Sequence, residues 1–245
     1  MRRDGGFILV IVLGIVAVLA SFAVAIASLS EASARVSRVE RDFFERKNLE
    51  DSVFAFVAFR LLADRNPKWP KDGSVKIMKV EDQSVLVSVQ AISGLAHLNR
   101  ASENILAGLF SKDEMAGLLS LRPIRELSSI PRVVQPFVTV YGDHASLDPL
   151  SVPRKLLVSI PGVTARDADL LLDARRRGND FIVESIVAKY SPLLDGEPSK
   201  LYRIDIEVVA HRGRIGFRNY AIVNVDAAAQ PALQFVELGW AEPIR

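Results

Sequence analysis

The sequence predicts an α+β protein: a long amino-terminal helix, first apolar and then amphipathic, packed on an antiparallel sheet, with an all-α domain inserted into that sheet. Three observations predict it. Residues Phe7 to Ser30 carry no charged side chain. Glu31 to Asp64 holds neither Gly nor Pro and keeps its apolar residues at helical spacing. Strand-like alternation occurs at Ser74 to Val80 and Gln83 to Gln90, then returns only beyond Tyr202, with a helical region between.

The first element follows from bilayer dimensions. An apolar helix needs roughly 20 residues to cross the hydrocarbon core, so Phe7 to Leu29 can span a membrane. Three readings compete for it, and each predicts a different mature terminus. Arg2 and Arg3 can head a secretory signal with Phe7 to Phe22 as its apolar region and Ala25-Ile-Ala27 as a small-residue cleavage site, leaving Ser28 first. The segment can equally be an uncleaved anchor. In the third reading residues 1–6, ending in a glycine pair, form a leader cut between Gly6 and Phe7, and the apolar helix at 7–30 stays on the mature protein. Loop charge does not choose an orientation, because Arg35, Arg38, Arg41, Arg46 and Lys47 follow the segment while two arginines precede it.

The helical pattern continues through 31–66. Val36, Val39 and Phe43, then Phe54, Val57 and Leu61, recur in steps that keep them near one face. Such an apolar stripe calls for a sheet to lie on. Asn66-Pro67 ends the helix, since proline disfavours the helical conformation of the residue before it.

The sheet is expected in two parts. Its first part, within 67–92, is a hairpin across the polar pair Glu81-Asp82. The second part, 201–245, comprises Tyr202 to Ala210, Ile215 to Val225 and Leu233 to Leu238, rich in β-branched and aromatic residues, with His211-Arg-Gly213 as a turn.

Residues 93–200, helical from about Leu98 to Tyr190, are the insertion. Its sharpest motif runs from Leu156 to Arg175: a short helix, a tight Pro161-Gly162-Val163 hairpin, and a second helix that Thr164 can cap with Asp167 three residues on. Gly178 sits where a helix commonly ends. The pattern is a helix-hairpin-helix. A degenerate echo lies upstream, where Ser102, Ile105-Leu106 and Leu109 match Ser151, Leu156-Leu157 and Ile160 in order. Ser111 and Glu114 repeat the capping pattern there, without a Pro-Gly turn.

Composition bounds the function. A hydrophobic content of 49% with 14 glycines argues against a disordered chain, and a formal charge of +2 supplies no bulk attraction to nucleic acid. Zero cysteines exclude a thiol nucleophile, a disulfide framework and a Cys-based zinc site. The hairpin amides at a helix amino terminus can hold a phosphate, with Arg175, Arg176 and Arg177 as counter-charge. Asp167, Asp169 and Asp173 on the same helix weigh against that, and a packing or protein-contact module is the preferred reading. His97, His144 and His211 lie in separate segments without ligand spacing and read as surface or turn residues. Glu40 with Asp42 fits a solvated helix face. No catalytic constellation emerges, so neither an enzyme nor a cofactor is expected.

The order of these parts resembles the general secretion pathway protein K family, the large minor pseudopilins of type II secretion. Arg2-Arg-Asp-Gly-Gly6 followed by Phe7-Ile-Leu-Val-Ile-Val resembles a prepilin processing site and its hydrophobic stem. Ile92 to Ala101 resembles the entry into that family's inserted helical domain. Val138-Thr-Val-Tyr141, Ala145 to Pro149 and Leu156 to Arg175 resemble its second helical unit. Tyr202 to Val225 and Trp240 resemble its closing strands. Pseudopilins generally carry a glutamate at the fifth mature position, where this chain has Ile11, and the K subunit is the member that lacks it.

The resemblance implies a pilin-like sheet and a structural job at the tip of a pseudopilus, supporting protein export across the outer membrane. It implies cleavage between Gly6 and Phe7 by prepilin peptidase, methylation of the new Phe7 amine, and a stem in which Phe7, Ile8, Leu9, Ile11 and Leu13 enter the inner membrane lipid and then the filament core. The globular part would sit in the periplasm. Implied partners are the I and J minor pseudopilins and the major pseudopilin; nucleic acid is not an expected partner. The family's calcium site is not carried over, because Leu121 to Val134 is short and lacks the alternating carboxylates that six to eight oxygen ligands need. The competing expectation is a membrane-anchored DNA receptor of the competence type, which also joins an anchor to a helix-hairpin-helix.

Overall fold

The computed structural model describes residues 5–63, 69–80, 83–127, 130–131, 133–210 and 214–241. The chain divides into two compact units, Met1–Asp51 and Ser52–Arg245.

The described part of the first unit is helix. The single helix α1 spans Gly5–Leu62, as the unbroken Gly-free and Pro-free stretch after residue 30 requires. It is long and apolar enough to cross a membrane, with a mean hydropathy of 2.6 in its apolar window. Charges begin at Glu31, and from there the helix surface is laced by pairs one turn apart: Arg35 with Glu31, Arg41 with Glu45, and Lys47 with Asp51. Exposed pairs of this kind stabilise little. Val36, Val39 and Phe43 are 57%, 69% and 52% exposed. The expected apolar stripe is therefore covered only in its second half.

That half lies in the second unit, where Val53, Phe54, Val57, Ala58 and Leu61 are all buried. An antiparallel sheet follows in the order β1-β2-β5-β6-β7, with β1 at Asp72–Val80, β2 at Gln83–Ala91, β5 at Leu201–Ala210, β6 at Arg214–Val225 and β7 at Leu233–Ala241. The register pairs Val85 with Val208, Val87 with Ile206 and Val89 with Ile204, and Ile204 with Ala221 on the far side. Because side chains alternate across a strand, these valines and isoleucines share one face, and that face is buried. The expected turns at Glu81-Asp82 and His211-Arg-Gly213, and the Asn66-Pro67 stop, lie outside the described residues.

Between β2 and β5, neighbours in the sheet, the chain leaves and returns through residues 92–200. A 3₁₀ turn at Ile92–Gly94 leads to β3, Ala96–His97, then α2, Glu103–Leu106, and α3, Lys112–Ser120. After β4, Val138–Thr139, come α4, Arg154–Ser159, α5, Ala165–Arg177, and α6, Asp180–Tyr190. The segment is not purely helical: β3 and β4 pair in parallel, Ala96 with Val138 and His97 with Thr139. It gathers its own apolar core around Leu98, Leu106, Leu156, Leu157, Leu171 and Leu194, and a smaller cluster of Ile92, Leu95 and Ile222 sits beside the sheet.

Caps set the helix ends where the sequence places them. Ser111 and Glu114 form a reciprocal capping box: the Glu114 amide donates to Ser111 Oγ at 3.3 Å and the Ser111 amide to Glu114 Oε2 at 2.8 Å. Thr164 Oγ1 accepts from the Asp167 amide at 3.1 Å. α5 stops at Gly178, whose φ of +65° is left-handed.

Candidate functional site

The residues of the expected processing site and stem fall at the start of α1. Met1 to Asp4 lie outside the described residues. Gly6, Phe7, Ile8, Leu9 and Ile11 are helical in backbone, and their side chains lie outside the described set. Leu13 is exposed, as are Val12, Ile15, Val16, Leu19 and Phe22. Such a surface is costly in water and at home in lipid.

Pro161, Gly162 and Val163 form the turn between α4 and α5. The Val163 amide donates to the Ile160 carbonyl at 3.1 Å, and Gly162 supplies a φ of +91° that a β-carbon would strain. Pro161 and Gly162 are exposed and Val163 half-buried. The turn is followed by an occupied helix terminus. Asp167 Oδ2, in the first turn of α5, accepts from Thr164 Oγ1 at 2.8 Å, from Lys189 Nζ at 2.7 Å and from the Tyr190 hydroxyl. The Lys189 bond foremost, then those from Tyr190 and Thr164, holds its carboxyl far below the usual carboxylate range.

The three arginines at the end of α5 diverge. Arg175 turns inward and donates from Nη1 to the Val152 carbonyl at 2.8 Å. Its Nε and Nη2 are buried without a hydrogen-bond partner among the described residues, and burial lowers the guanidinium to about 10 against the opposing pull of Asp148 and Asp72. It is still charged at neutral pH. Arg176 pairs with Asp173 at 2.7 Å, and Arg177 is exposed.

The structure brings together polar residues that local sequence gives no reason to join. Asp148, buried, accepts from Ser151 Oγ at 2.6 Å, Ser93 Oγ at 3.2 Å and the Leu150 amide at 2.8 Å. Gln90 of β2 donates from Nε2 to the Ser151 carbonyl at 2.9 Å. These bonds tie the departing chain at Ser93 to the turn at 148–151 that precedes α4. The histidines correct the expectation as well. His97 is only 3% exposed, and it meets His144 ring to ring at 5.5 Å; His211 lies outside the described residues.

A cavity of about 470 Å³ lies where the segment after β4 faces the sheet, lined by Leu95, Val138, Tyr141, Arg203, Tyr220 and Glu237 among others. Arg203 lies over the Tyr220 ring at 4.8 Å and pairs with Asp205 at 2.9 Å, while the Tyr220 hydroxyl donates to Glu237 at 2.6 Å. Burial, then the charge of Glu126, raises the Glu237 carboxyl above its ordinary value. Arg203 is already engaged, and no cluster of three or more metal-binding side chains exists among the described residues. No family model matches this chain, and no curated protein matches it.

Proposed function

We propose that this chain is a K-like minor pseudopilin, a structural and non-enzymatic subunit at the tip of a type II secretion pseudopilus. The observation that carries the reading is one unbroken helix, running from an uncharged stretch to the buried stripe at 53–61, followed by an antiparallel sheet interrupted between β2 and β5. Prepilin peptidase cuts between Gly6 and Phe7 at the cytoplasmic face and the Phe7 amine is methylated. The stem, with Phe7, Ile8, Leu9, Ile11 and Leu13, holds the subunit in the inner membrane and then packs against stems of the major pseudopilin. Exchange from lipid to protein is driven by close packing rather than by loss of water contact.

In this reading the globular part lies in the periplasm, and residues 93–200 are an inserted helical domain carrying a helix-hairpin-helix at 154–177. Its bulk, set beside the I and J minor pseudopilins, stops further subunits from joining above it. Ile11 suits a tip position, where no neighbour above calls for a charge.

The competing DNA-receptor reading draws on the turn between α4 and α5. Asp167 already supplies negative charge at that helix terminus, Arg175 turns inward and Arg176 is paired. Of the three arginines at the end of α5 only Arg177 is left to face a phosphate, and this favours a packing role for the hairpin.

Intact mass and terminal sequencing of the protein from its own cells, with and without prepilin peptidase, tests the reading. A methylated Phe7 terminus that depends on the enzyme supports it. A start at Ser28 means a cleaved signal peptide, an intact Met1 a plain anchor, and either result overturns it.

A further inference from the structure

His97 and His144 lie 47 residues apart in the chain, and each is locked to the backbone of the other's segment. His97 Nε2 lies 3.0 Å from the Gly142 carbonyl and His144 Nε2 lies 2.9 Å from the Leu95 carbonyl. A carbonyl only accepts, so each Nε2 carries a proton and donates. His97 Nδ1 in turn accepts from the Asn99 amide at 3.1 Å. Both nitrogens of a neutral His97 are therefore committed, and a second proton on Nδ1 would face the Asn99 N–H.

The charged surroundings make the two rings unequal. His97 faces His144 and Arg100; His144 faces Asp143, Asp148 and Arg100. Carboxylates near His144 favour its charged form, whereas each group facing His97 is a base. The segments that the pair joins, through Leu95 on one side and Val138 to Tyr141 on the other, also form one wall of the cavity beside the sheet.

We propose that the His97–His144 pair is an acid-sensitive latch: neutral, it pins residues 142–144 to 95–97 and holds the cavity wall in place, and protonation of His97 breaks the Asn99 bond and places a buried cation beside Arg100, which favours opening of the 138–144 stretch even though the Nε2 bonds to Gly142 and Leu95 survive it. Burial lowers both imidazoles below their ordinary value. The unfolded chain then takes up protons first as pH falls. The stability that the latch contributes is present above about pH 6.5 and is lost as pH falls below it. The latch rests on contacts within the second unit and is independent of the membrane reading.

Hydrogen exchange of the full chain in detergent micelles at pH 7.5 and 5.0 tests it, read as protection factors corrected for intrinsic rates. The expected result is a loss of protection over 95–99 and 138–144 at pH 5.0 relative to pH 7.5, with α5 unchanged. His97→Gln keeps a donor near the Nε2 position and does not titrate, so it removes the response. Equal protection at both pH values overturns the latch, as does a response that survives in His97→Gln. Should that variant fail to fold, NMR titration of labelled histidines in the wild type decides: His97 below its ordinary value supports the latch, and His97 at about 6.5 overturns it.

Discussion

A β-carbon on Gly108 would stand 1.6 Å from the carbonyl oxygen of Ser159 and 2.3 Å from its carbonyl carbon. The two residues immediately precede Leu109 and Ile160, the matched positions of the sequence echo. The echo therefore meets itself at equivalent points. Leu118 and Leu171, each seven residues after its capping Ser111 or Thr164, are both buried in the shared core.

Gly108→Ala is expected to destabilise the second unit by about 1 to 3 kcal/mol or more, because backbone rather than a flexible side chain blocks the added methyl. Gly117→Ala serves as its control. Gly117 lies within α3 with nothing near its missing β-carbon, so alanine there should leave stability unchanged or raise it by up to about 1 kcal/mol. Urea unfolding of the two variants checks the difference.

Asp148→Ala strips the acceptor from Ser93, Ser151 and the Leu150 amide. Ser93 and Ser151 are buried, and leaving a buried donor orphaned costs roughly 1 to 3 kcal/mol, so a total loss of about 2 kcal/mol or more is expected. Exchange at residues 90–95 should rise first, since the bonds fasten the point where the chain leaves the sheet.

Asp167→Asn should show a pH signature. The native carboxyl is held below its unfolded value, chiefly by Lys189, so its contribution is present above about pH 4 and is lost as pH falls through the acid range. The variant is expected to be less stable than wild type at pH 7, and the gap between them should narrow progressively as pH falls from 5 towards 2. Thermal unfolding across that range measures it.

Gly6→Val should leave an unprocessed precursor and stop secretion, whereas Ile11→Ala should be mild. Immunoblotting for the precursor beside a secretion assay reads both. Normal secretion by the Gly6→Val strain counts against the pseudopilin reading.

Much of this architecture was written locally. The apolar run before Glu31, the two-residue alternation of β1 and β2, and the strands beyond Tyr202 depend on neighbours in sequence, and they fall where periodicity places them. Caps are equally local, as Ser111, Thr164 and Gly178 show. The histidines were not legible, because nothing near His97 indicates that residue 144 will supply its partner. The same holds for Asp148, whose acceptor role depends on Ser93 across 55 residues.

The sequence by itself determined the long helix, the five strands of the main sheet and the caps at Ser111, Thr164 and Gly178, since hydrophobic period and capping side chains act over a few residues, but it held no sign of β3 and β4 within the segment read as helical. Tertiary structure alone decided that Phe54, Val57 and Leu61 are buried while Val36, Val39 and Phe43 in the same stripe are exposed. It alone paired β2 with β5 across the intervening segment, joined His97 to His144 and turned Arg175 inward. The physical reason is that burial and charge pairing depend on which distant surfaces meet, and a periodic pattern records only that a residue is able to be buried, never against what.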